Sequence, residues 1–479
     1  MGRSRRSILA IVASSALIAV PDAAAGTPGH WTRVTTASES NINQVSAART
    51  ADGTLHVAWT RPTPSNPGGG EDLFQTPITP GGTIGAPVAL ANNWATLANP
   101  AIVAAGGQNL YLFDAATRTT NPTEPISNLA LFTSSNGGAG WSLYPADLTK
   151  TDAPSDTAAA LGLDGTPFIA WGSSSCLCVH RGILQTPNAD FQQGLGTYGY
   201  EPGIALDQKS HQLIVAWYSN GTAHHGVFTA PVDQLTGARS ASPLPMPGTT
   251  NLLDGPFSGR TPIVARPGGG VYIAYEGGYP SHTKVLVWRV GARTSTLLAR
   301  ASSDVHGVGI AATPTGRVWV FWSAQSRSGK TLVYAKRSNG SVSAWGRTVA
   351  FAPPKRTASV WNLEGDGQTD RLDLLGSFSL GSSGFAATWH TQLLPGLSLS
   401  ASPMHIPVGG KHARSVTFTV TDAGAPLSGV EVRVGSAHAS TGTNGKVTLA
   451  LGPFKHKRRL RAHATRSGYA PDVITLRAS

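Results

Sequence analysis

One phrase recurs along this chain: a small-residue strand, a Gly-containing turn, then an apolar strand that ends in an aromatic. It reads AARTADGTLHVAWT (47–60), AIVAAGGQNLYLFD (101–114), AALGLDGTPFIAWG (159–172), GIALDQKSHQLIVAWY (203–218), PIVARPGGGVYIAYE (262–276) and GIAATPTGRVWVFWS (309–323). Trp59, Phe113, Trp171, Trp217, Tyr275 and Trp322 are its aromatic ends. A unit this small cannot bury its own apolar face, so copies at a period of roughly 40 to 60 residues must stack into an array or close into a ring. The repeat therefore predicts an all-β fold built from blades.

Each copy runs on into one or two further strands, such as LALFTSS (129–135) with GWSLYPA (140–146) and KVLVWRV (284–290) with TSTLLAR (294–300). Four strands in a meander make a propeller blade. A seventh unit has RLDLLGSFS (371–379) and FAATWHTQLL (385–394) as its inner strands, and no fourth strand follows. HWTRVTT (30–36) is unpartnered at the other end. As the outer strand of blade seven it would close the ring and remove an exposed edge. The expectation is a seven-bladed β-propeller over 26–396, followed by an Ig-like β-sandwich over 397–479. In that tail SVTFTV, GVEVRV, KVTLAL, RLRAHA and DVITLR alternate at period two between Gly, Asn and Pro turns.

Residues 1–25 read as a secretory signal peptide, with Arg3, Arg5 and Arg6 before the apolar run Ile8–Val20 and Ala23-Ala24-Ala25 as the cleavage triplet. Ser4-Arg5-Arg6-Ser7-Ile8-Leu9 also resembles the twin-arginine export signal. The run is short for a membrane span, and no later segment is apolar enough for one, so a secreted or cell-surface monomer is expected. Two cysteines cannot staple so long an exported chain, and the core must hold it. Cys176 and Cys178 lie near His180 but lack a fourth metal ligand, which leaves a local disulfide or two thiols, and no metal.

Charge is uneven. Residues 397–479 hold eleven Lys and Arg against three acids, most of the chain's formal +12. Lys455, Lys457, Arg458, Arg459 and Arg461 form a run before a sandwich strand, suited to an anionic cell-wall polymer or acidic glycan. No aromatics interleave it, so dedicated nucleic-acid binding is not expected.

Residues Gly424-Ala425-Pro426-Leu427-Ser428-Gly429-Val430, Thr443-Asn444-Gly445-Lys446-Val447 and Ser467-Gly468-Tyr469 give the tail its resemblance to bacterial Ig-like and carboxypeptidase regulatory-like modules. Ser134-Ser135-Asn136-Gly137-Gly138-Ala139-Gly140-Trp141 resembles the Asp-box of the sialidase superfamily, with Asn136 in place of the acid, and Ser338-Asn339-Gly340 with Trp345 is a degenerate copy. The box shapes a turn and carries no chemistry. Sialidase activity would need three arginines around a substrate carboxylate, a tyrosine nucleophile with a glutamate, and a proton-transferring acid. Aligning the repeats puts Gln44, Ala98, Asp156, Glu201, Arg260 and Gly307 at the family's first arginine position, and Arg260-Thr261-Pro262 alone keeps the phrase. Gln44 cannot replace a bidentate guanidinium.

Glu71 and Asp72 follow the Gly68-Gly69-Gly70 loop, where an acidic loop sits in sialidase-like propellers. Tyr200-Glu201 and Tyr275-Glu276 pair tyrosine with glutamate in sequence, but strand neighbours face opposite sides. The ring of inner-strand beginnings thus carries Gln44, Asp156, Glu201 and Arg260 near loops with Arg61, Trp94 and Tyr279, a polar and aromatic mouth suited to glycan or peptide. The chain reads first as a noncatalytic binding protein. The alternative is a sialidase-like glycan-cleaving hydrolase or lyase using Asp72 or Glu201 as acid and Arg260 as clamp, without a cofactor.

Overall fold

A computed structural model describes residues 29–35, 45–66, 69–118, 128–145, 147–148, 154–173, 176–184, 189–191, 199–220, 225–249, 259–278, 280–381 and 386–479. The expected signal peptide, Gln44 and Tyr279 lie outside them. The described chain is strand and turn, with no helix, and seven four-stranded antiparallel sheets follow one another.

Blade one is Ser46–Arg49, Leu55–Pro62, Glu71–Ile78 and Val88–Trp94, and blades two to six repeat that plan with inner strands Thr96–Ala104, Thr157–Leu161, Gly199–Asp207, Ile263–Ala265 and Val305–Ala312. The first hairpin shows why the turn needs glycine. Gly53 sits at φ +86° and donates its N–H to the Thr50 carbonyl at 2.9 Å, a conformation that a Cβ would strain.

The recurring aromatics end up between blades. Trp59, Phe113, Trp171 and Trp217 are fully buried, and each shares a core cluster with residues of the adjacent blade, as Trp59 does with Val34, Leu375 and Ala386. The core is accordingly a ring of wedges, each lined by two blades, and burial of one apolar face per blade is satisfied only by its neighbour.

Blade seven orders its strands Thr357–Gly367, Leu372–Leu380, Ala386–Leu393 and Thr32–Arg33 from inside out. The N-terminal strand closes the ring as expected, with Thr32 opposite His390 and Arg33 opposite Trp389. The innermost strand corrects the sequence reading, which took 371–379 as inner. Thr357–Gly367 carries Asn362, Glu364, Gly365, Asp366 and Gly367 and two register shifts against its partner, so it lacks the β-branched alternation that marks a strand.

Trp31 locks the closure, packed edge-on against Phe378 at 4.8 Å and donating its Nε1–H to the Ala352 carbonyl at 2.9 Å. Replacing it with alanine should lower stability by about 3 kcal/mol through the cavity left between blades six and seven, read as a fall in the denaturant midpoint.

Two turns, at 134–141 of blade two and 338–345 of blade six, are each fastened by an asparagine side chain. Asn136 Oδ1 accepts from Gly140 N at 2.8 Å, Ser134 Oγ accepts from Gly138 N at 3.0 Å, and Asn339 Oδ1 accepts from Ser343 N at 3.0 Å. The turn needs an acceptor oxygen, not a charge, so Asn serves where an acid is usual.

Beyond Gly396 the chain forms two more sheets around a separate core of Val416, Phe418, Val432, Leu460, Ala462 and Leu476. Asp422, 2% exposed, joins this unit to blade six through Arg337 at 2.5 Å and Arg317 at 3.2 Å, and accepts from the Tyr469 hydroxyl of its own unit at 3.1 Å. Cys176 and Cys178 are disulfide-bonded, the local bridge of the two arrangements the sequence left open. Cys176 lies just before the strand Leu177–Arg181, in a bend held by Ser173 Oγ accepting from its N–H at 3.0 Å, which brings the two Cα atoms to 5.3 Å, closer than the ~6.7 Å between alternate residues of an extended strand.

Candidate functional site

The inner strands of all seven blades surround a channel of about 150 Å³. Arg260 enters it from the start of blade five. Its Nε donates to the Thr157 carbonyl at 2.6 Å, Nη1 to Val45 O at 3.4 Å, and Nη2 to Pro100 O. One guanidinium therefore ties blade five to blades three, one and two. Burial pulls the Arg260 pKa below its ordinary value, while Glu364, Asp156 and Asp114 favour its charge. Each of its three nitrogens already serves a carbonyl, so Arg260 is a tie across the channel and not the open fork that a substrate clamp requires.

Blades two, four and six share a device at the same place. The inner-strand register shifts between Ala98 and Ala101, between Tyr200 and Gly203, and between His306 and Gly309. Each bulge holds a residue with positive φ: Asn99 at +58°, Glu201 at +51° and Gly307 at +58°. The equivalent of Glu201 in blade two is thus Asn99, one residue beyond the Ala98 of the simple repeat alignment. A bulge re-aims the side chain it carries, and a non-glycine residue there stores strain of about 1–3 kcal/mol, which functional sites commonly retain.

Glu201 is the group this device positions. Burial pushes its pKa up to about 8, with Asp156 and Glu276 adding like-charge repulsion and a backbone hydrogen bond from Gly259 opposing. Its Oε2 has no hydrogen bond among the described residues. Its backbone N–H faces Asp156 Oδ2 at 3.4 Å, and its carbonyl accepts from Thr261 N at 2.9 Å and Thr261 Oγ1 at 2.6 Å. The strained backbone is therefore held from blades three and five. The carboxyl remains a proton donor at neutral pH.

The tyrosine that accompanies Glu201 is not one that neighbours a glutamate in sequence. Tyr275 is buried in the core between blades four and five with Trp288. Tyr218, on the second strand of blade four, has its pKa raised by burial and by Glu201, which keeps the phenol neutral. Its hydroxyl lies 2.9 Å from His225 Nε2 on the third strand. Trp217 enters the wedge between blades three and four, so its strand neighbour Tyr218 enters the opposite face, against the wedge between blades four and five.

Asp72 does not act as the exposed acid of a glycine-rich loop. It is 3% exposed, accepts from Thr63 Oγ1 at 2.6 Å and Asn93 N at 3.0 Å, and meets Arg61 Nε at 3.3 Å. Arg61 in turn lies over the Phe74 ring at 4.6 Å. The two residues fasten the edge of blade one because their polar atoms are already matched within it. Glu71 accepts from Leu97 N, and burial raises its pKa. Asp114, fully buried, has a pKa raised by burial and then by Glu71. Trp94 packs on Phe132 at 5.8 Å under Arg118.

A cleft of about 570 Å³ opens beside the channel across blades five, six and seven, lined by Glu276, Asp304, His306, Gln325 and Trp361 among others. Trp361 is 63% exposed, with its Nε1–H on Ser379 Oγ at 3.2 Å. Such a ring offers an apolar plate at the edge of a polar cleft. Trp361 and Glu364 both lie on the inner strand of blade seven that the sequence did not reveal, and Glu364, in the channel, has its pKa pushed up to about 6 by burial against the pull of Arg260. Among the described residues no cluster of three or more His, Cys, Asp or Glu could hold a metal ion.

No family model matches the chain, and no curated protein does. Solved structures that resemble it include a protein of unknown function from Dyadobacter fermentans (11% identity, 77% of this chain and 99% of that one, TM-score 0.44) and a polysaccharide lyase (11% identity, 75% and 90%, TM-score 0.46). A third is an alpha-L-arabinofuranosidase from Fusarium graminearum solved with an iminosugar inhibitor (11% identity, 62% and 92%, TM-score 0.42). Likenesses at this level leave substrate and chemistry to the geometry of the channel mouth.

Proposed function

We propose that this is an exported glycoside hydrolase acting on a neutral glycan at the mouth of the propeller channel. The observation that carries the reading is Glu201, a strained and largely buried carboxyl that stays protonated at neutral pH beside a second acid, Glu276. Glycoside cleavage needs one carboxylic acid to protonate the leaving oxygen and a second, ionised, to meet the oxocarbenium-like centre or activate water. Glu201 fills the first role. Glu276, 7% exposed and at the wall of the cleft, is the carboxyl placed for the second. The Tyr218–His225 pair lies against the acid and can orient a sugar hydroxyl.

Electrostatics argue for a neutral substrate. Asp156, Glu201, Glu276 and Glu364 gather near the mouth around a single Arg260, and its nitrogens are bound to carbonyls. A sialic acid or uronate would bring its carboxylate to a site where burial already disfavours the ionised form of Glu201, Asp156 and Glu364, with Arg260 committed to carbonyls. This disfavours both sialidase and lyase chemistry, and it replaces the noncatalytic reading by giving the mouth a poised proton donor.

A panel of neutral fluorogenic glycosides tests the proposal directly. Release by the folded chain supports it, and retention of oligosaccharide without release would make the protein a lectin instead. Trp361→Ala should raise KM about tenfold while kcat changes little, because loss of an exposed stacking plate removes binding shared by ground and transition states. An equal fall in kcat with KM unchanged would remove Trp361 from the substrate path.

A further inference from the structure

The run 455–461 divides: residues 455–457 precede a strand, while Arg459 and Arg461 lie on the strand Arg458–Thr465 and join other basic residues on a sheet face. The five-stranded sheet places His405–Ile406, Asp472–Ala478, Arg458–Thr465, Glu431–Val434 and Ala437–Ser440 side by side in that order. Its inward positions, Val432, Leu460, Ala462 and Leu476, fill the core. Its outward positions carry four arginines and three histidines, His405, His438 and His463, among Thr465, Val473 and Thr475. Arg433, Arg459, Arg461 and Arg477 are all exposed, each alternating with a core residue on its strand.

The register aligns them in rows. Arg459 faces Arg477, which faces His405; two residues along Arg461 faces Thr475, and four residues along His463 faces Arg433, which faces His438. Strands about 4.8 Å apart with same-face residues about 6.7 Å apart make this a flat cationic lattice. Glu431, bound to Arg433 Nη2 at 2.8 Å, is its one acid among the described residues. The opposite sheet is different: Ser400, Thr417, Thr419 and Thr448 dominate its outer face. Like charges placed directly opposite on neighbouring strands destabilise a sheet, so the Arg459–Arg477 pairing costs stability unless an anion bridges it.

We infer that this face binds a linear anionic polysaccharide, with sulfate or carboxylate groups bridging arginines of adjacent strands. Arginine's planar fork matches both oxyanions. The aromatic side chains needed to stack nucleic-acid bases are missing from the outward positions of the described strands, which favours glycan over DNA or RNA. Arg458 belongs elsewhere, its guanidinium 5.7 Å from the Phe454 ring centroid. The inference is independent of the channel chemistry.

Retention of the full chain on immobilised heparin and polygalacturonate, against neutral dextran and single-stranded DNA at matched salt, tests it. The variant R433Q/R459Q/R461Q/R477Q should weaken both polyanionic glycans about tenfold or more, as expected for four charge-assisted contacts, while K455Q/K457Q/R458Q loses far less. Arg459→Gln alone relieves its facing arginine, so it should weaken retention with the unfolding midpoint unchanged or raised. Equal loss from the turn variant, no loss from the face variant, or equally tight DNA binding would overturn the inference.

Discussion

Glu201→Gln should abolish glycoside release by about 10²–10⁴-fold, the usual contribution of a general acid, with the fold intact. The amide keeps the shape of the carboxyl and cannot give up a proton to a leaving oxygen. With a pKa near 8, activity of the parent chain should fall as pH rises through that value and the acid form disappears. Stability carries the same signature. Folded Glu201 holds its proton from about 4.5, its ordinary value, up to about 8, whereas the unfolded chain releases it near 4.5. The unfolded state thus binds fewer protons across that window and stability declines as pH rises, by at most roughly 5 kcal/mol at 1.36 kcal/mol per unit. Glu201→Gln removes this slope. The variant should melt above the parent at about pH 9 and near it at about pH 4, since its gain grows only where folded Glu201 is pressed to ionise. A variant that keeps full activity, or a parent whose stability does not fall with pH, would remove Glu201 from its assigned role.

Arg260→Met is expected to cost about 3–5 kcal/mol, the penalty for breaking a buried charge network by deleting one partner. The carbonyls of Thr157, Val45 and Pro100 lose their donor, and Asp156, Asp114 and Glu364 lose the cation that offsets them. Glu364, already near 6, should titrate higher still. Arg260→Lys should recover only part of the loss, because one ammonium cannot reach three blades as three separate nitrogens do. Denaturant unfolding measures the effect. If Arg260→Met instead left stability unchanged and raised KM for a carboxylate-bearing sugar, the residue would be a substrate clamp after all.

Legibility from sequence followed the range of the interaction. Alternation at period two, the positive-φ glycine turns and the buried aromatic of each blade are local, and they announced the blades and the closing strand at Thr32–Arg33. The inner strand Thr357–Gly367 escaped notice because its Gly, Asp and Asn residues are poor strand formers, and its place is set by packing on the blades to either side. Asp72 was misread for a related reason. A glycine run beside two acids suggests a loose loop, yet hydrogen bonds from Thr63 and from Asn93, 21 residues on, hold that carboxylate inside.

By itself the sequence determined that the chain is a ring of blades followed by a basic sandwich, since a repeated amphipathic strand pair has no other way to bury its apolar side. It also showed that one arginine stood where a sialidase needs several. Tertiary structure alone decided what the polar residues do. Burial, a bulge with positive φ and neighbours from blades three and five turned Glu201 into an acid that keeps its proton, while strand register turned scattered arginines into one cationic face. Both depend on distances between residues far apart in sequence, and charge energies change with those distances and with the surrounding dielectric, neither of which a linear chain specifies locally.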